Sequence, residues 1–144
     1  MGKPRVFIVD KSLDGSPPLP RSAPTITVMS EAQDALQAII LAGQLQPDVI
    51  LLNVDALCAE DVQLIARISQ LYPGIKLIVV TGGDAPQPLV LEAYRQGARA
   101  YLAQAHSTPS EIVEAIHAVV RGQSILDSQM AGWILDEITR IQER

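Results

Sequence analysis

Residues 47–53 of the chain read Pro-Asp-Val-Ile-Leu-Leu-Asn, an apolar run that follows a Pro-Asp pair and ends in a polar amide. An uninterrupted run of this kind is typical of a strand buried on both faces of a parallel sheet. A second run, Ile-Lys-Leu-Ile-Val-Val at residues 75–80, ends at Thr81. A shorter apolar run at residues 6–9 and the short stretch at residues 99–102 are also predicted to be strands. The sequence therefore predicts a set of buried strands that lead into polar residues.

The segments between these strands have the apolar spacing of helices. A further strand is predicted at residues 25–29, followed by a helix with Ser30 as its N-cap and with Glu31 and Asp34 in its first turn. Strands that alternate with helices indicate a doubly wound α/β fold, in which helices cover both faces of a mostly parallel sheet. Three helices are predicted at residues 32–45, 59–72 and 88–96. A fourth helix is predicted to begin at a cap, Thr108 or Ser110, and to end at Gly122. A last helix is predicted to begin at its cap Asp127.

The composition limits the class of protein. The chain has 144 residues, of which 48% are hydrophobic and 19% are charged, and its net charge is −5. These values exclude a disordered chain, fit one domain and argue against a basic nucleic-acid-binding surface. No apolar run approaches the roughly 18 residues of a membrane helix, and the lone Cys58 fits a reducing cytoplasm. We divide the chain into a domain at residues 1–122 and a C-terminal helix or linker at residues 123–144.

The C-terminal segment carries one apolar stripe. Met130, Trp133, Ile134, Ile138 and Ile141 recur there at helical spacing, between charged residues. An isolated helix of this length is marginal in water, so the stripe is expected to pack against another surface. The two alternatives are packing on the same domain and pairing with a second chain.

Polar side chains at the ends of the strands form the candidate site. In doubly wound sheets the functional crevice lies at the carboxyl ends of the strands. The residues that the pattern places there are Asp10, Lys11, Asn53, Thr81 and Gln104.

Three stretches of the chain resemble the receiver domains of bacterial response regulators. Residues 47–53 are similar to the family's phospho-acceptor strand, and residues 97–104, Gly-Ala-Arg-Ala-Tyr-Leu-Ala-Gln, are similar to its fifth strand. Residues 109–122 resemble its last helix, and the stretch at residues 97–104 is nearest to the NarL/LuxR type. The resemblance covers about residues 4–122 and implies a flavodoxin-like, five-stranded parallel sheet of strand order 2-1-3-4-5. It also implies a role in two-component signal transduction.

The resemblance implies a phosphoryl-transfer site that this chain retains only in part. The family uses an aspartate on the third strand, two acids after the first strand that help to hold Mg²⁺, a lysine after the fifth strand and a threonine or serine after the fourth. At these positions, in the same order, the chain has Asn53, Asp10 with Lys11, Gln104 and Thr81. Tyr101 matches the aromatic residue that turns inward when the threonine engages the phosphoryl group. Because an amide is not a usable nucleophile, and one carboxylate beside an ammonium is a poor Mg²⁺ site, we predict a pseudo-receiver without phosphorylation, Mg²⁺ or another cofactor.

Two explanations of these departures stay open. In the first, the changes compensate one another, and Lys11 lies beside Asp10 in the space that the metal would take. Asn53 and Gln104 would then form hydrogen bonds with each other and with Thr81. In the second, the site has drifted after phosphorylation ceased to matter.

The connection between the first two strands is a further departure from the family. Residues 11–24 contain Pro17, Pro18, Pro20 and Pro24, which exclude a regular helix through most of the segment. We expect the family's first helix to be shortened or missing, which uncovers part of one sheet face. The cover of that face is then this loop, the C-terminal helix or a second chain.

These interpretations predict a signalling domain rather than an enzyme. It would act by contact with a protein partner or with itself as a dimer, through the surface of the fourth helix, fifth strand and fifth helix or through the C-terminal helix. Neither a membrane nor a nucleic acid is expected to bind this segment directly. The alternatives are a small-molecule sensor with its pocket at the strand ends, and an active receiver with another acceptor such as Asp55. The predicted contact surface, some of it core, includes Leu89, Leu91, Tyr94, Tyr101, Ile112 and Ile116.

Overall fold

The computed structural model of the chain describes residues 2–12, 19–83, 85–103, 107–125 and 128–142, without the side chains of residues 128–130. Within these residues, strands and helices alternate from the second strand onward, until two helices follow one another at the C-terminal end. None of the described helices is both long and apolar enough to cross a membrane. The elements in chain order are β1 (Arg5–Asp10), β2 (Thr27–Ala32), α1 (Ala35–Leu45), β3 (Val49–Val54), α2 (Ala59–Leu71), β4 (Lys76–Thr81), α3 (Gln87–Arg95), β5 (Ala98–Ala103), α4 (Pro109–Val120) and α5 (Ser128–Gln142).

The five strands form one parallel sheet in the order β2-β1-β3-β4-β5. β3 lies at the centre, and all six of its residues are buried, as its uninterrupted apolar run predicts. The register pairs Asp10 of β1 with Asn53 of β3, and Val54 with Thr81 of β4. This arrangement confirms the doubly wound, flavodoxin-like fold and its strand order.

The side chains of each strand alternate between two apolar layers. On one face, Phe7 and Val9 of β1 pack with residues of α1, α2 and α3. On the other face, Val6 and Ile8 pack with residues of α4. Because successive side chains of a strand point to opposite faces, the same strands fill both layers. The layers are mainly aliphatic, since the chain has few aromatic residues.

The second strand and the first helix begin later than predicted. β2 includes Ser30 and Glu31, which pair with β1, so Ser30 is not an N-cap. The cap of α1 is Asp34, whose carboxylate accepts a hydrogen bond of 2.8 Å from the backbone nitrogen of Gln37. β2 is an edge strand with one neighbour, and such strands tolerate polar and charged residues. The polar residues at the end of β2 therefore have the same sequence pattern as the first turn of a helix, which explains the wrong prediction.

The described part of the connection between β1 and β2 is not helical, as its prolines predict. Residues 19–26, which we call the strap, run instead over one face of the sheet. Leu19 and Ile26 of the strap are buried in the same apolar layer as α4, and Ala23 packs against that layer. The loop itself therefore covers this face.

The C-terminal helix packs on the opposite face of the sheet. Trp133 of α5 contacts the apolar layer of α1, α2 and α3, and Glu137 forms an ion pair of 3.1 Å with Arg95 of α3. The helix therefore contacts its own domain through Trp133, away from the face that the strap covers, while Ile138 and Ile141 of the predicted stripe are exposed. Asp127, the predicted cap of this helix, lies outside the described residues.

Candidate functional site

Three strands bring polar side chains to one edge of the sheet. Asp10, Asn53 and Thr81 stand at or near the carboxyl ends of β1, β3 and β4. Asn53 and Thr81 are buried although they are polar, so their side chains require hydrogen-bond partners within the protein. Gln104, another predicted site residue, lies outside the described residues, and so does its predicted hydrogen bond to Asn53.

The carboxylate of Asp10 accepts hydrogen bonds on both of its oxygens. Oδ1 accepts from the backbone nitrogen of Ser12 at 3.1 Å, from the Ser12 hydroxyl at 2.6 Å and from Nδ2 of Asn53 at 3.0 Å. Oδ2 forms an ion pair of 3.0 Å with Nη2 of Arg21. The remaining acid of the predicted site is therefore engaged by the protein itself.

Arg21 of the strap is the cation beside Asp10, and its role was not predicted from the sequence. Its Nε and Nη2 donate to the two carboxylate oxygens of Glu31 on β2, at 2.9 and 3.0 Å, while Nη2 also donates to Asp10. Such a forked contact fixes the orientation of a guanidinium better than a single ion pair does. The available signal was one arginine within the proline-rich segment that leaves the sheet next to Asp10.

The ammonium of Lys11 pairs with a different acid. Its Nζ lies 2.6 Å from Oδ1 of Asp61, a residue of the first turn of α2 whose side chain is only 2% exposed. Oδ2 of Asp61 accepts hydrogen bonds of 3.1 Å from the backbone nitrogen and the thiol of Cys58. A buried carboxylate requires a counterion, and Lys11 supplies it. The hypothesis that Lys11 lies beside Asp10 is therefore wrong, and Arg21 lies there instead.

Thr81 and Tyr101 form a small hydrogen-bonded cluster at the same edge. Oγ1 of Thr81 donates to the backbone oxygen of Gly83 at 2.6 Å and shares a hydrogen bond of 3.1 Å with the hydroxyl of Tyr101. That hydroxyl also accepts from the backbone nitrogen of Ala85 at 3.1 Å. Tyr101 packs, half-buried, against the apolar layer of α3. The cluster therefore links the end of β4 to the middle of β5.

The predicted contact surface is divided between core and solvent. In this chain the family's fourth and fifth helices correspond to α3 and α4. Leu91, Ile112 and Ile116 are buried and belong to the core. Leu89 and Tyr94 are half-buried against the layer that α5 also contacts. The part of the predicted contact surface that a partner could reach is therefore smaller than the sequence suggests.

A groove of about 660 Å³ separates the strap from α4. Leu19, Pro24 and Val113 are among its lining residues, and Nε2 of His117 lies 3.0 Å from the hydroxyl of Thr25. Its size falls within the roughly 300–1,000 Å³ range of ligand pockets. This groove lies beside the strap, whereas the sensor alternative placed its pocket at the strand ends.

Asp10 is expected to make stability depend on pH. Burial raises the pKa of Asp10, but hydrogen bonds from Ser12 and Asn53 and the charge of Arg21 outweigh burial, so the pKa lies below its ordinary value. Such a carboxylate stabilises the fold above its unfolded pKa of about 3.9, and this stabilisation is lost as the pH falls through the folded pKa. Between about pH 6 and pH 3, the Tm of the wild type should therefore fall more than that of Asp10→Asn. Parallel Tm curves for the two proteins would contradict this expectation.

Comparison with curated proteins finds bacterial regulators, although no family profile matches the chain. The chain is 33% identical over 119 residues to the transcriptional regulatory protein YxjL of Bacillus subtilis, which is 83% of the chain and 54% of the relative. It is 34% identical over 118 residues to the transcriptional regulatory protein LiaR of the same organism, with 80% of the chain and 54% of LiaR covered. The chain therefore spans about half the length of these curated relatives.

Comparison with solved structures finds the same kind of domain. The signal receiver domain of NarL from Mycobacterium tuberculosis superposes with a TM-score of 0.68 at 26% identity, over 85% of this chain and 100% of that one. A two-component response regulator of the LuxR family from Aurantimonas superposes with a TM-score of 0.76 at 24% identity, over 96% and 99% of the two chains.

The strand order, the polar edge and these likenesses together show that the chain has the fold of response-regulator receiver domains. The curated relatives and the solved structures that the chain resembles are response regulators and receiver domains of the NarL/LuxR type.

Proposed function

We propose that the chain is a receiver domain that signals through protein contacts without being phosphorylated. The observation that carries the proposal is Asn53 at the acceptor position of β3. A carboxylate oxygen is the nucleophile in the family's reaction, and a carboxamide is not a usable substitute. Nδ2 of Asn53 donates to Oδ1 of Asp10 over 3.0 Å. The residue at the acceptor position therefore serves as a hydrogen-bond donor to the neighbouring acid.

The residues at this edge do not fit the Mg²⁺ ion that the family uses. Mg²⁺ prefers a nearly ideal set of oxygen ligands and is usually held by one or two carboxylates. Both oxygens of Asp10 already accept bonds from protein donors, and Arg21 places a positive charge beside them. Within the described ranges, no group of three or more acids, histidines or cysteines is arranged to hold a metal. We therefore propose that the domain works without Mg²⁺ or another cofactor.

The pairing of Thr81 with Tyr101 supports a signalling conformation that needs no phosphoryl group. The resemblance implies that, in the family, the aromatic turns inward when the threonine engages the phosphoryl group. In this chain the hydroxyl of Tyr101 is already held by Thr81 and by the backbone nitrogen of Ala85. Protein atoms thus provide the contacts of the inward position, and we propose that the domain keeps it permanently.

The exposed side of α5 offers an apolar surface for contact. Leu135, Ile138 and Ile141 are exposed there, while Trp133 of the same helix packs on the domain. Residues three apart on a helix lie on one side of it, so these side chains form a stripe. We propose that the stripe, together with the surface of α3, β5 and α4, binds a protein partner or a second copy of the chain. Control of transcription, as the names of the relatives suggest, and a location in the cytoplasm belong to the same proposal.

Acetyl phosphate tests this proposal directly. After incubation with acetyl phosphate and Mg²⁺, intact mass spectrometry of the wild type is expected to show no added phosphoryl group, because β3 offers no carboxylate at the acceptor position. A phosphorylated wild type would overturn the proposal. The modified residue would then be mapped, beginning with Asp55, the exposed acid directly after β3.

A repaired variant supplies the positive control. Asn53→Asp, Lys11→Asp and Gln104→Lys restore the family's groups, and the structure requires two further changes. Asp61→Asn prevents a buried carboxylate from losing its counterion when Lys11 is replaced, and Arg21→Ala opens the edge of the sheet. The matched control carries the same changes but keeps Asn53. If the repaired variant is phosphorylated and the matched control is not, the loss of phosphorylation is due to residue 53.

A further inference from the structure

We propose that the guanidinium of Arg21 stands in for the metal ion of a receiver site. This inference rests on the proposed function and explains how the acidic remnant of the site stays neutralised. The strap carries Arg21 to the carboxyl edge of the sheet, where it pairs with Asp10 at the end of β1 and with Glu31 on β2. Two acids from neighbouring strands therefore share one cation that belongs to the chain. In this view, the non-helical course of the described part of the β1–β2 connection and the proposed loss of the metal have one cause, the placement of the strap on the sheet.

The strap holds this cation in place by apolar anchors on both sides. Leu19 and Ile26, which flank Arg21 in the strap, are buried in the layer of α4. The backbone nitrogen of Arg21 donates to the oxygen of Leu19 over 2.7 Å, which forms a tight turn. A tethered group has a high effective concentration at its binding site. A dissolved divalent ion would therefore have to displace a cation that is already bound and oriented.

Lys11 does not have this role, although it is the cation next to Asp10 in the sequence. Its ammonium neutralises Asp61 at the start of α2, at a distance of 2.6 Å. The positive charge that opposes a metal ion at Asp10 therefore belongs to Arg21. It follows that restoring the acceptor carboxylate by Asn53→Asp is not sufficient to recover metal binding while Arg21 is present.

Isothermal titration calorimetry of the full chain, with Mn²⁺ as the only ligand, tests this inference. We compare Asn53→Asp with the double variant Asn53→Asp/Arg21→Ala. Removal of a positive charge in contact with the acids should tighten Mn²⁺ binding by roughly tenfold or more. The matched control is Asn53→Asp/Arg95→Ala, which removes an equal charge from the exposed ion pairs of α3 and should bind Mn²⁺ as Asn53→Asp does.

Two further variants make the outcome decisive. Arg21→Gln keeps a polar side chain of similar reach, so a gain in Mn²⁺ affinity by both Arg21 variants, with unchanged circular dichroism, supports the loss of charge as its cause. A variant with Asn53→Asp, Lys11→Met and Asp61→Asn should show no gain. The inference would be overturned if Asn53→Asp and Asn53→Asp/Arg21→Ala bound Mn²⁺ with equal affinity, whatever its value. A gain in Mn²⁺ affinity seen only in the Lys11 variant would also overturn it. Neither result would touch the proposed function, which depends on the wild type and acetyl phosphate.

Discussion

Lys11→Met is expected to lower the free energy of unfolding by about 2–4 kcal/mol, because it leaves the buried carboxylate of Asp61 without its counterion. The side chain of Asp61 is 2% exposed and that of Lys11 is 26% exposed, so the ion pair is largely shielded from water. The hydrogen bonds from Cys58 to Asp61 remain and keep the loss below that of a fully isolated buried charge. Urea unfolding followed by circular dichroism measures the change.

Two comparisons identify the buried charge as the cause of the loss. Arg95→Met breaks exposed ion pairs with Glu92 and Glu137, and pairs of that kind contribute less than about 1 kcal/mol. Lys11→Met/Asp61→Asn should be more stable than Lys11→Met alone, because the second change removes the unpaired charge. If Lys11→Met cost no more than Arg95→Met, the pair with Asp61 would not be a buried one in solution.

Ile26→Ala is expected to lower the free energy of unfolding by about 2–4 kcal/mol, since it removes a buried side chain of the strap and leaves a cavity. Ile26 lies in the same apolar layer as Ile8 of β1 and Val119 of α4. The expected loss is that of a core residue, although Ile26 belongs to a segment without regular secondary structure. Urea unfolding provides the measurement here as well.

Ile40→Ala is the matched control for this substitution. Ile40 is 50% exposed on α1, and exposed substitutions usually change stability by no more than about 0.5 kcal/mol. Similar losses for Ile26→Ala and Ile40→Ala would show that the strap lies loosely on the sheet. A much larger loss for Ile26→Ala would show that the strap is part of the core, which the placement of Arg21 requires.

The central strands could be predicted from local sequence because their burial is complete. β3 and β4 are flanked by other strands and covered by helices, so nearly every position must be apolar, and the pattern is visible without knowledge of the fold. β2 was placed two residues too early because an edge strand has no such requirement. The strand order followed from the resemblance to receiver domains rather than from periodicity.

The polar side chains predicted at the carboxyl edge of the sheet lie there, but their charged partners were not predicted. Asp10, Asn53 and Thr81 could be located because parallel strands all end at the same edge of a sheet. Adjacency in the sequence then suggested that Lys11 neutralises Asp10. In the structure Arg21, from the strap, occupies that position, and Lys11 turns to Asp61 on α2.

Apolar patterning thus located the central strands, most of the helices and the polar edge of this domain, because the sequence of each segment shows which of its residues are buried. The pairing of charges was decided only by the folded chain. Arg21 is 11 positions from Asp10, and Lys11 is 50 positions from Asp61. Which cation neutralises which acid depends on the distances and the burial that packing creates, since charge interactions weaken with distance and strengthen away from water.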